Sequence, residues 1–174
     1  LRREQSKRTR QLNRACFPVL KSFDGYAFGA IRFPPALTRD DLLSCRFIAE
    51  KKNLILYGPV GVGKTHLAVA LGLKACLAGY AVYCASGLEL ARRLVASLAD
   101  DTLDQQFLAL TKCKLLIIDE LGYLPYERQQ ATLLFQLIAR RYERLATIVT
   151  TNKGFAQWGE VFGGDQAVAS AILD

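Results

Sequence analysis

Short runs of apolar or β-branched residues alternate along the chain with longer amphipathic stretches. Four runs, each of four or five residues, have the length and character of buried strands in a parallel sheet. These predicted strands cover Leu54–Tyr57, Ala81–Ala85, Leu115–Ile118 and Thr147–Thr151. The stretches between them are long enough for helices that return the chain to the same edge of the sheet.

The amphipathic stretches begin at residues that favour helix N-termini. Thr38 precedes acidic residues of a first turn, and Ser86 and Thr102 are each followed three positions later by a residue that completes a capping box, Glu89 and Gln105. The predicted helices cover about residues 39–50, 64–77, 87–98, 103–110 and 127–144. The last helix is expected to bury a stripe formed by Leu134, Leu137, Ile138 and Tyr142.

The alternation of strands and helices defines the fold class. Strands separated by helices of ten or more residues form βαβ units, so we predict an α/β protein with a parallel sheet between two helical layers, a three-layer αβα sandwich. Residues 1–30 are predicted to form a basic N-terminal arm and a loop-rich segment that leads into the fold. Residues 31–174 are predicted to form its core.

The composition fits one globular domain. A chain of 174 residues, of which 51% are hydrophobic, can bury one core, and no apolar run is long enough to span a membrane, which together predict a cytoplasmic protein. The five cysteines are scattered, so neither a disulfide framework nor a zinc site is expected. Most of the net charge of +7 lies in residues 1–14. This arm suits the phosphate backbone of DNA, although a solvated helix without a ligand explains it equally well.

A glycine-rich motif follows the first predicted strand. It reads Gly-Pro-Val-Gly-Val-Gly-Lys-Thr and satisfies G-x-x-x-x-G-K-[ST], the phosphate-binding P-loop, between a strand and a helix as that motif requires. The glycines let backbone N–H groups point at the phosphates of ATP or ADP, Lys64 adds a positive charge, and the Thr65 hydroxyl can bind Mg²⁺. The predicted nucleotide-binding residues are Gly58, Pro59, Val60, Gly61, Val62, Gly63, Lys64, Thr65 and His66.

Two carboxylates and an amide stand at the ends of later strands. Asp119 and Glu120 follow the third predicted strand, and Asn152 follows the fourth. Ligands bind at the carboxyl ends of strands in such sheets. We therefore predict that Asp119 binds Mg²⁺ together with Thr65 and that Glu120 polarises the water that attacks the γ-phosphate. Asn152 is predicted to contact that phosphate or water, and with Lys64 these residues complete the catalytic set of an ATPase.

Several other residues could act at this site but fit structural roles better. His66 is the only histidine, and its place in a first helical turn favours packing or hydrogen bonding over general-base catalysis. Phe23 and Tyr26 could flank an adenine ring, although aromatic residues in such a segment usually pack in the core. Five clustered arginines are predicted to be solvated, although DNA could use them: Arg92, Arg93, Arg140, Arg141 and Arg144.

These motifs together resemble the IstB family. The P-loop and the His-Leu-Ala that continues it are widely shared, but the run DELGYLP over residues 119–125 and the runs TNKGF and WGEVFG over residues 151–163 are specific. Members of this family are AAA+ transposition helper ATPases of bacterial insertion sequences, related to the DnaC helicase loader and the DnaA initiator. The resemblance, which begins at about Phe17, implies an ASCE-type sheet and ATP-dependent homo-oligomers on double-stranded DNA. It also implies delivery of a transposase to a target that is bound without sequence preference.

The resemblance assigns family roles to residues already singled out and implies one missing part. Lys64 and Thr65 correspond to Walker A, Asp119 and Glu120 to Walker B, and Asn152 to the first sensor. An arginine finger is expected just after a run like that over residues 172–174, but no arginine follows position 144. The fifth strand and the lid are also expected to lie outside this sequence. Because an arginine finger contributes roughly 10³ to 10⁵ in rate, we expect this chain to bind nucleotide and to hydrolyse it very slowly.

Three alternatives stay open. A DnaC-type replicative helicase loader shares the core, although residues 154–163 argue against it. A P-loop kinase for a small molecule is disfavoured by the adjacent carboxylates Asp119 and Glu120 and by the Asn152 strand end. A nucleotide-binding module without turnover could describe this chain even if a longer protein hydrolyses ATP.

Overall fold

The fold is built on a four-stranded parallel sheet. The computed structural model describes residues 2–164, with side chains from residue 5 onward. The strands are β1 (Leu54–Tyr57), β2 (Val82–Ser86), β3 (Leu115–Asp119) and β4 (Ala146–Thr151). They lie in the order β1-β4-β3-β2, and every adjacent pair is parallel. The two central strands, β3 and β4, are buried along their whole length.

Eight helices flank this sheet in the described part of the chain. They are α1 (Arg2–Ala15), α2 (Arg39–Leu43), α3 (Arg46–Ala49), α4 (Lys64–Leu77), α5 (Gly87–Ala99), α6 (Leu103–Lys112), α7 (Arg128–Arg141) and α8 (Trp158–Val161). Helices α1 and α8 were not among the predicted helices. Short 3-10 helices cover Phe28–Ala30 and Phe155–Gln157. Within residues 2–164, no helix combines the length and the apolar character that crossing a membrane requires.

Side chains of β3 alternate between two hydrophobic clusters, one on each face of the sheet. Leu115 and Ile117 pack with residues of α2, α3 and α4, whereas Leu116 and Ile118 pack with residues of α5, α6 and α7. Strands that are buried on both faces need apolar residues at every position, which is why the run Leu115–Ile118 is continuous. The α/β class and the three-layer αβα sandwich are therefore confirmed.

Two helix predictions were wrong in detail. Residues 39–50 form two short helices and not one, because Cys45 adopts a left-handed conformation with φ of 55°. Thr102 does not cap α6 with its side chain: its own N–H donates to Ser97 O at 2.8 Å in a tight turn, which leaves its backbone outside the extended conformation of an N-cap. By contrast, Ser86 caps α5 as predicted, since its Oγ accepts from Glu89 N–H at 3.2 Å, which is one of the two bonds of the predicted capping box.

The basic N-terminal arm is a helix docked on the fold. Ala15 at the end of α1 is fully buried, and Leu12 packs against the same hydrophobic cluster as α4. Gln11 Nε2 donates to Gly79 O at 2.8 Å, which ties α1 to the end of α4. The basic side chains of this helix with described positions are exposed: Lys7, Arg8, Arg10 and Arg14. The domain boundary at residue 30 stays a prediction.

The end of α7 corrects two expectations about its side chains. Tyr142 follows the helix and is 42% exposed, so it does not belong to the buried stripe. Arg141, expected on the surface, is 1% exposed. Its guanidinium donates to the carbonyls of Leu110, Cys113 and Ala146. Arg141 thus binds the last carbonyls of α6 and the first carbonyl of β4, which explains how a buried charge is satisfied there.

Replacing Arg141 should therefore cost more stability than its position in a basic cluster suggests. Arg141→Met keeps the length of the side chain but leaves several buried carbonyls without a donor, so we expect the free energy of unfolding to fall by at least about 3 kcal/mol. Arg144→Met, at an exposed position, is the matched control and should change it by less than about 0.5 kcal/mol. Urea denaturation of both variants measures the difference, and equal small effects would contradict this role.

Candidate nucleotide-binding site

The predicted P-loop connects β1 to α4 at the carboxyl edge of the sheet. Gly61 and Gly63 have φ values of 83° and 90°, a region that favours glycine, and Gly63 is the N-cap of α4. Val60 and Val62 point outward and are 69% and 56% exposed. The loop therefore offers its backbone and the N-terminus of α4 to a ligand, as phosphate binding requires.

Lys64 lies at the base of this loop and is 8% exposed. Its ammonium donates to Gly58 O at 2.8 Å and to Pro59 O at 2.6 Å. The same ammonium lies 5.8 Å from the centre of the Tyr123 ring. Lys64 forms no ion pair with an acidic side chain in the part of the chain that the structure describes, so a phosphate at the loop would gain a full positive charge as its partner.

Asp119, at the end of β3, accepts hydrogen bonds from hydroxyl groups on two other elements. Thr65 Oγ1, in the first turn of α4, lies 2.9 Å from Asp119 Oδ1 and 3.1 Å from Oδ2. Thr150 Oγ1, on β4, donates to Asp119 Oδ1. Thr65 and Asp119, predicted to share Mg²⁺, are thus in direct contact, and an oxygen-rich pair beside a phosphate loop suits that ion.

Glu120 begins the turn that leaves β3. Its backbone is left-handed, with φ of 56°, and its N–H donates to Thr150 Oγ1 at 2.8 Å. The side chain is exposed and lines a cavity of about 470 Å³ together with Thr65 and Asp119. Glu120 is therefore free to contact a water molecule, while its backbone is fixed.

Asn152 follows β4, the strand that lies between β1 and β3. Its Oδ1 atom is buried and has no hydrogen-bond partner within residues 2–164. An unpaired buried acceptor costs about 1–3 kcal/mol unless a ligand or water satisfies it. Gly58 N–H donates to Thr151 O at 3.3 Å, which places the P-loop directly beside the end of β4. The strand order thus brings Asn152, Asp119 and the P-loop to the same edge.

His66 has the structural role expected of it. Its Nε2 atom lies 2.7 Å from Ser22 O, and its ring centre lies 4.9 Å from that of Tyr26. The imidazole thus joins α4 to the segment that precedes α2. The prediction that His66 helps to bind the phosphates stays a prediction. It would depend on the backbone N–H of His66 in the first turn of α4.

Tyr26 and Phe23 differ in their relation to the loop. Tyr26 donates its hydroxyl to Gly63 O at 3.4 Å and lines a second cavity of about 510 Å³ with residues of β1 and the P-loop. Phe23 packs against Tyr26 and Phe28 with its ring at 6.3 and 5.7 Å and does not line that cavity. Of the two aromatic residues, only Tyr26 can contact a nucleotide base from this cavity.

Cys84 lines the cavity beside Asp119 and is buried, which makes its thiol a weak nucleophile. Burial raises its pKa to about 12, and the charge of Asp119 adds to this shift. A thiol with this pKa is protonated at neutral pH and reacts slowly.

Sequence reasoning missed the contribution of Thr150 and Tyr126. The sequence pattern marks Thr150 only as a β-branched residue of a strand, yet its hydroxyl contacts both Asp119 and Glu120. The Tyr126 hydroxyl accepts from Gly122 N–H at 3.3 Å in the turn after Glu120, and burial raises its pKa to about 12. The parallel register that pairs β3 with β4 could have indicated Thr150, because it places the ends of both strands side by side.

The residues at this edge fit a Mg²⁺-bound nucleotide. The glycine conformations open the loop backbone, and Thr65 contacts Asp119. Among the described residues, Lys64 has no counter-ion and the Asn152 acceptor has no partner. Within residues 2–164 there is no cluster of three or more metal-binding side chains of the His, Cys, Asp or Glu type. A cation would therefore depend on Thr65, Asp119 and the phosphates.

The fold and this set of residues define a P-loop nucleotide-binding domain of the AAA+ type. Over residues 1–174 the sequence matches the family described as IstB-like ATP binding protein. The chain belongs to this family, which confirms the resemblance found in its motifs. ATP binding is the property that the family description names.

Individual relatives agree with this membership. The chain is 42% identical to the ATP-binding protein of insertion sequence IS21 from Pseudomonas aeruginosa, over 99% of this chain and 64% of that protein. It is 39% identical to the ATP-binding protein of insertion sequence IS232 from Bacillus thuringiensis subsp. berliner, over 99% and 68%. The chain thus spans about two thirds of the length of these relatives. A crystal structure of the DnaC helicase loader is 28% identical, with a TM-score of 0.66 and coverage of 94% of each chain.

The positive φ angles of the loop generate a prediction about stability. At Gly61 no atom lies within 4 Å of an added Cβ, so Gly61→Ala should suffer only from the left-handed backbone and lower the free energy of unfolding by about 1 kcal/mol. Gly29→Ala is the control, because Gly29 is equally open but has no positive φ, and it should be neutral or slightly stabilising. Thermal unfolding without nucleotide compares them. If Gly61→Ala is as stable as Gly29→Ala, the loop does not hold this conformation in the free protein.

Proposed function

We propose that this chain is the ATP-binding and hydrolysing core of a helper protein for insertion-sequence transposition. In this proposal the protein oligomerises on ATP and double-stranded DNA, binds that DNA without sequence preference, and recruits or regulates a transposase. The ATPase part depends on one observation: Thr65 contacts Asp119 beside the P-loop, and the buried Asn152 Oδ1, at the same edge of the sheet, has no partner among the described residues. Membership of the IstB-like family and the insertion-sequence relatives support the transposition part.

The P-loop and its lysine provide phosphate binding. Backbone N–H groups of Gly61 and Gly63 and the N-terminus of α4 attract negative charge. Lys64 exchanges its bonds to the Gly58 and Pro59 carbonyls for stronger bonds to charged phosphate oxygens. Binding thus requires only a local movement of one side chain in a loop that is already formed.

Hydrolysis would use the residues that end β3 and β4. Thr65 and Asp119 would hold Mg²⁺, which neutralises charge on the phosphates when it is bound. Glu120, exposed in the cavity beside Asp119, accepts a proton from the attacking water. The Asn152 amide orients that water or the γ-phosphate, and its unpaired Oδ1 is available to accept a hydrogen bond from the water.

DNA binding would use the exposed basic face of α1. Lys7, Arg8, Arg10 and Arg14 lie on this helix and form no ion pair with an acidic side chain among the described residues. Basic groups without acidic partners can neutralise phosphates of a duplex and displace the counter-ions bound there. The free-energy gain from releasing these counter-ions falls as the salt concentration rises, so such contacts weaken in salt. The proposal therefore includes salt-dependent binding that does not distinguish sequences.

A helicase loader of the DnaC type is the second candidate. The similarity to the DnaC crystal structure over 94% of each chain supports it, because the two share their core. The higher identities to insertion-sequence proteins, 42% and 39%, favour the transposition helper. Stimulation of ATP turnover by a replicative helicase, and not by duplex DNA, would select the loader.

Replacing Glu120 should separate binding from hydrolysis. In a chain extended past Asp174 to the length of its relatives, Glu120→Gln should bind a fluorescent ATP analogue with a Kd within about threefold of wild type. Its rate of phosphate release should fall by about 10² or more, because the water loses its proton acceptor. Glu160→Gln, at an exposed position outside both cavities, is the matched control and should keep the wild-type rate.

Adding duplex DNA tests the partner in the same experiment. We expect DNA of unrelated sequences to stimulate the extended wild-type chain equally, with stimulation lost as salt rises. Turnover that needs a small acceptor molecule would identify a kinase. A wild-type chain that binds no ATP would remove the ATPase proposal altogether.

A further inference from the structure

One buried hydroxyl group connects the two carboxylate residues of the site. Thr150, on β4, is 1% exposed. Its Oγ1 donates to Asp119 Oδ1 and accepts from Glu120 N–H at 2.8 Å. The backbone of the same residue makes a third bond, because Leu121 N–H donates to Thr150 O at 2.9 Å. A single residue therefore contacts three consecutive positions at the end of β3.

The partners of this hydroxyl fix the direction of each bond. An ionised carboxylate only accepts hydrogen bonds, so the one proton of Thr150 Oγ1 must point at Asp119. A backbone N–H only donates, so a lone pair of the same oxygen must face Glu120. A change of the Thr150 rotamer would break both bonds, and water cannot easily compete at a residue that is 1% exposed.

The two bonds stabilise different features: the backbone conformation of Glu120 and the orientation of the Asp119 carboxylate. Glu120 is left-handed with φ of 56°, a conformation that costs a residue other than glycine about 1–2 kcal/mol and persists where neighbours hold it. Asp119 also accepts from the Thr65 hydroxyl, whose single proton lies between the two carboxylate oxygens, at 2.9 and 3.1 Å from Thr65 Oγ1. The Thr150 hydroxyl, by contrast, donates to a single carboxylate oxygen, Asp119 Oδ1.

We propose that Thr150 is a positioning residue that orients the Asp119 carboxylate for Mg²⁺ and the Glu120 backbone for the attacking water. This inference rests on the proposed ATPase function and adds a residue to its site. When Thr65 turns its oxygen toward a cation, Asp119 keeps the bond from Thr150 and hence its orientation. Groups that orient a metal-binding carboxylate in this way typically change metal affinity by roughly 10- to 100-fold.

The test measures how strongly Mg²⁺ increases ATP affinity, given as the Kd in EDTA divided by the Kd with Mg²⁺. Thr150→Val keeps the shape of the side chain but removes both hydroxyl bonds, so we expect this ratio to fall by about tenfold or more. Affinity in EDTA should change by less than about threefold, because the P-loop is untouched. Thr150→Ser restores the hydroxyl and should restore the ratio to within about threefold of wild type.

Thr147→Val is the matched control for loss of a buried hydroxyl on the same strand. Thr147 Oγ1 accepts from Arg141 Nε at 3.1 Å at the other end of β4, so this variant should lose stability but keep the wild-type ratio. If Thr150→Val does not fold, Thr150→Cys takes its place, since a thiol is a weaker donor, and an intermediate ratio is expected.

The outcomes separate this inference from the proposed function. A wild-type chain without Mg²⁺-dependent ATP affinity contradicts the ATPase site itself. Wild-type Mg²⁺ dependence that is retained in Thr150→Val or Thr150→Cys leaves the site intact and overturns the role of Thr150. An equal loss in Thr150→Val and Thr147→Val would show a general effect of destabilising β4 and would also overturn it.

Discussion

The insertion of β4 between β1 and β3 is the constraint on which the site depends. Parallel pairing in this order places the P-loop, the end of β4 and the end of β3 side by side at one edge. Asp119 and Asn152 come from strands that are separated by a helix in sequence, and the parallel pairing of β3 with β4 brings the ends of these strands together. Direct contacts between the three elements include the bond from Gly58 N–H to Thr151 O and the bonds of Thr150 and Thr151 to the turn after β3. Nucleotide binding and the proposed hydrolysis both follow from that adjacency.

Polar contacts hold β4 at its two ends, and apolar packing holds it between them. At its start, Arg141 binds the Ala146 carbonyl and the Thr147 hydroxyl, while Asn53 Oδ1 accepts from Thr147 N–H at 3.0 Å. At its end, Thr150 binds the residues that carry the carboxylates. Hydrogen bonds between buried groups require defined distances and directions, so each end specifies the position of the strand more narrowly than the apolar residues could. The polar residues of this buried strand thereby connect the stability of the fold to the geometry of the site.

The sequence predicted the parts that depend on local pattern. Continuous apolar runs gave β1 and β3, the motif gave the P-loop, and strand ends gave Asp119 and Asn152. What it did not predict depends on contacts between distant residues. Arg141 looked like one more surface arginine because its carbonyl partners lie on α6 and β4, and Thr150 looked like an ordinary strand residue because its partners follow another strand. The break at Cys45 was missed for a related reason, since nothing in its local pattern marks a left-handed residue.

A crystal structure of the chain with Mg²⁺ and a non-hydrolysable ATP analogue tests the central claim most directly. The account predicts that Lys64 leaves the Gly58 and Pro59 carbonyls for the phosphates and that the cation lies at Thr65 and Asp119. Thr150 should keep its bonds to Asp119 and to Glu120 N–H, and Asn152 Oδ1 should gain a partner. A nucleotide bound away from the ends of β1, β3 and β4, or a cation that contacts neither Thr65 nor Asp119, would contradict it.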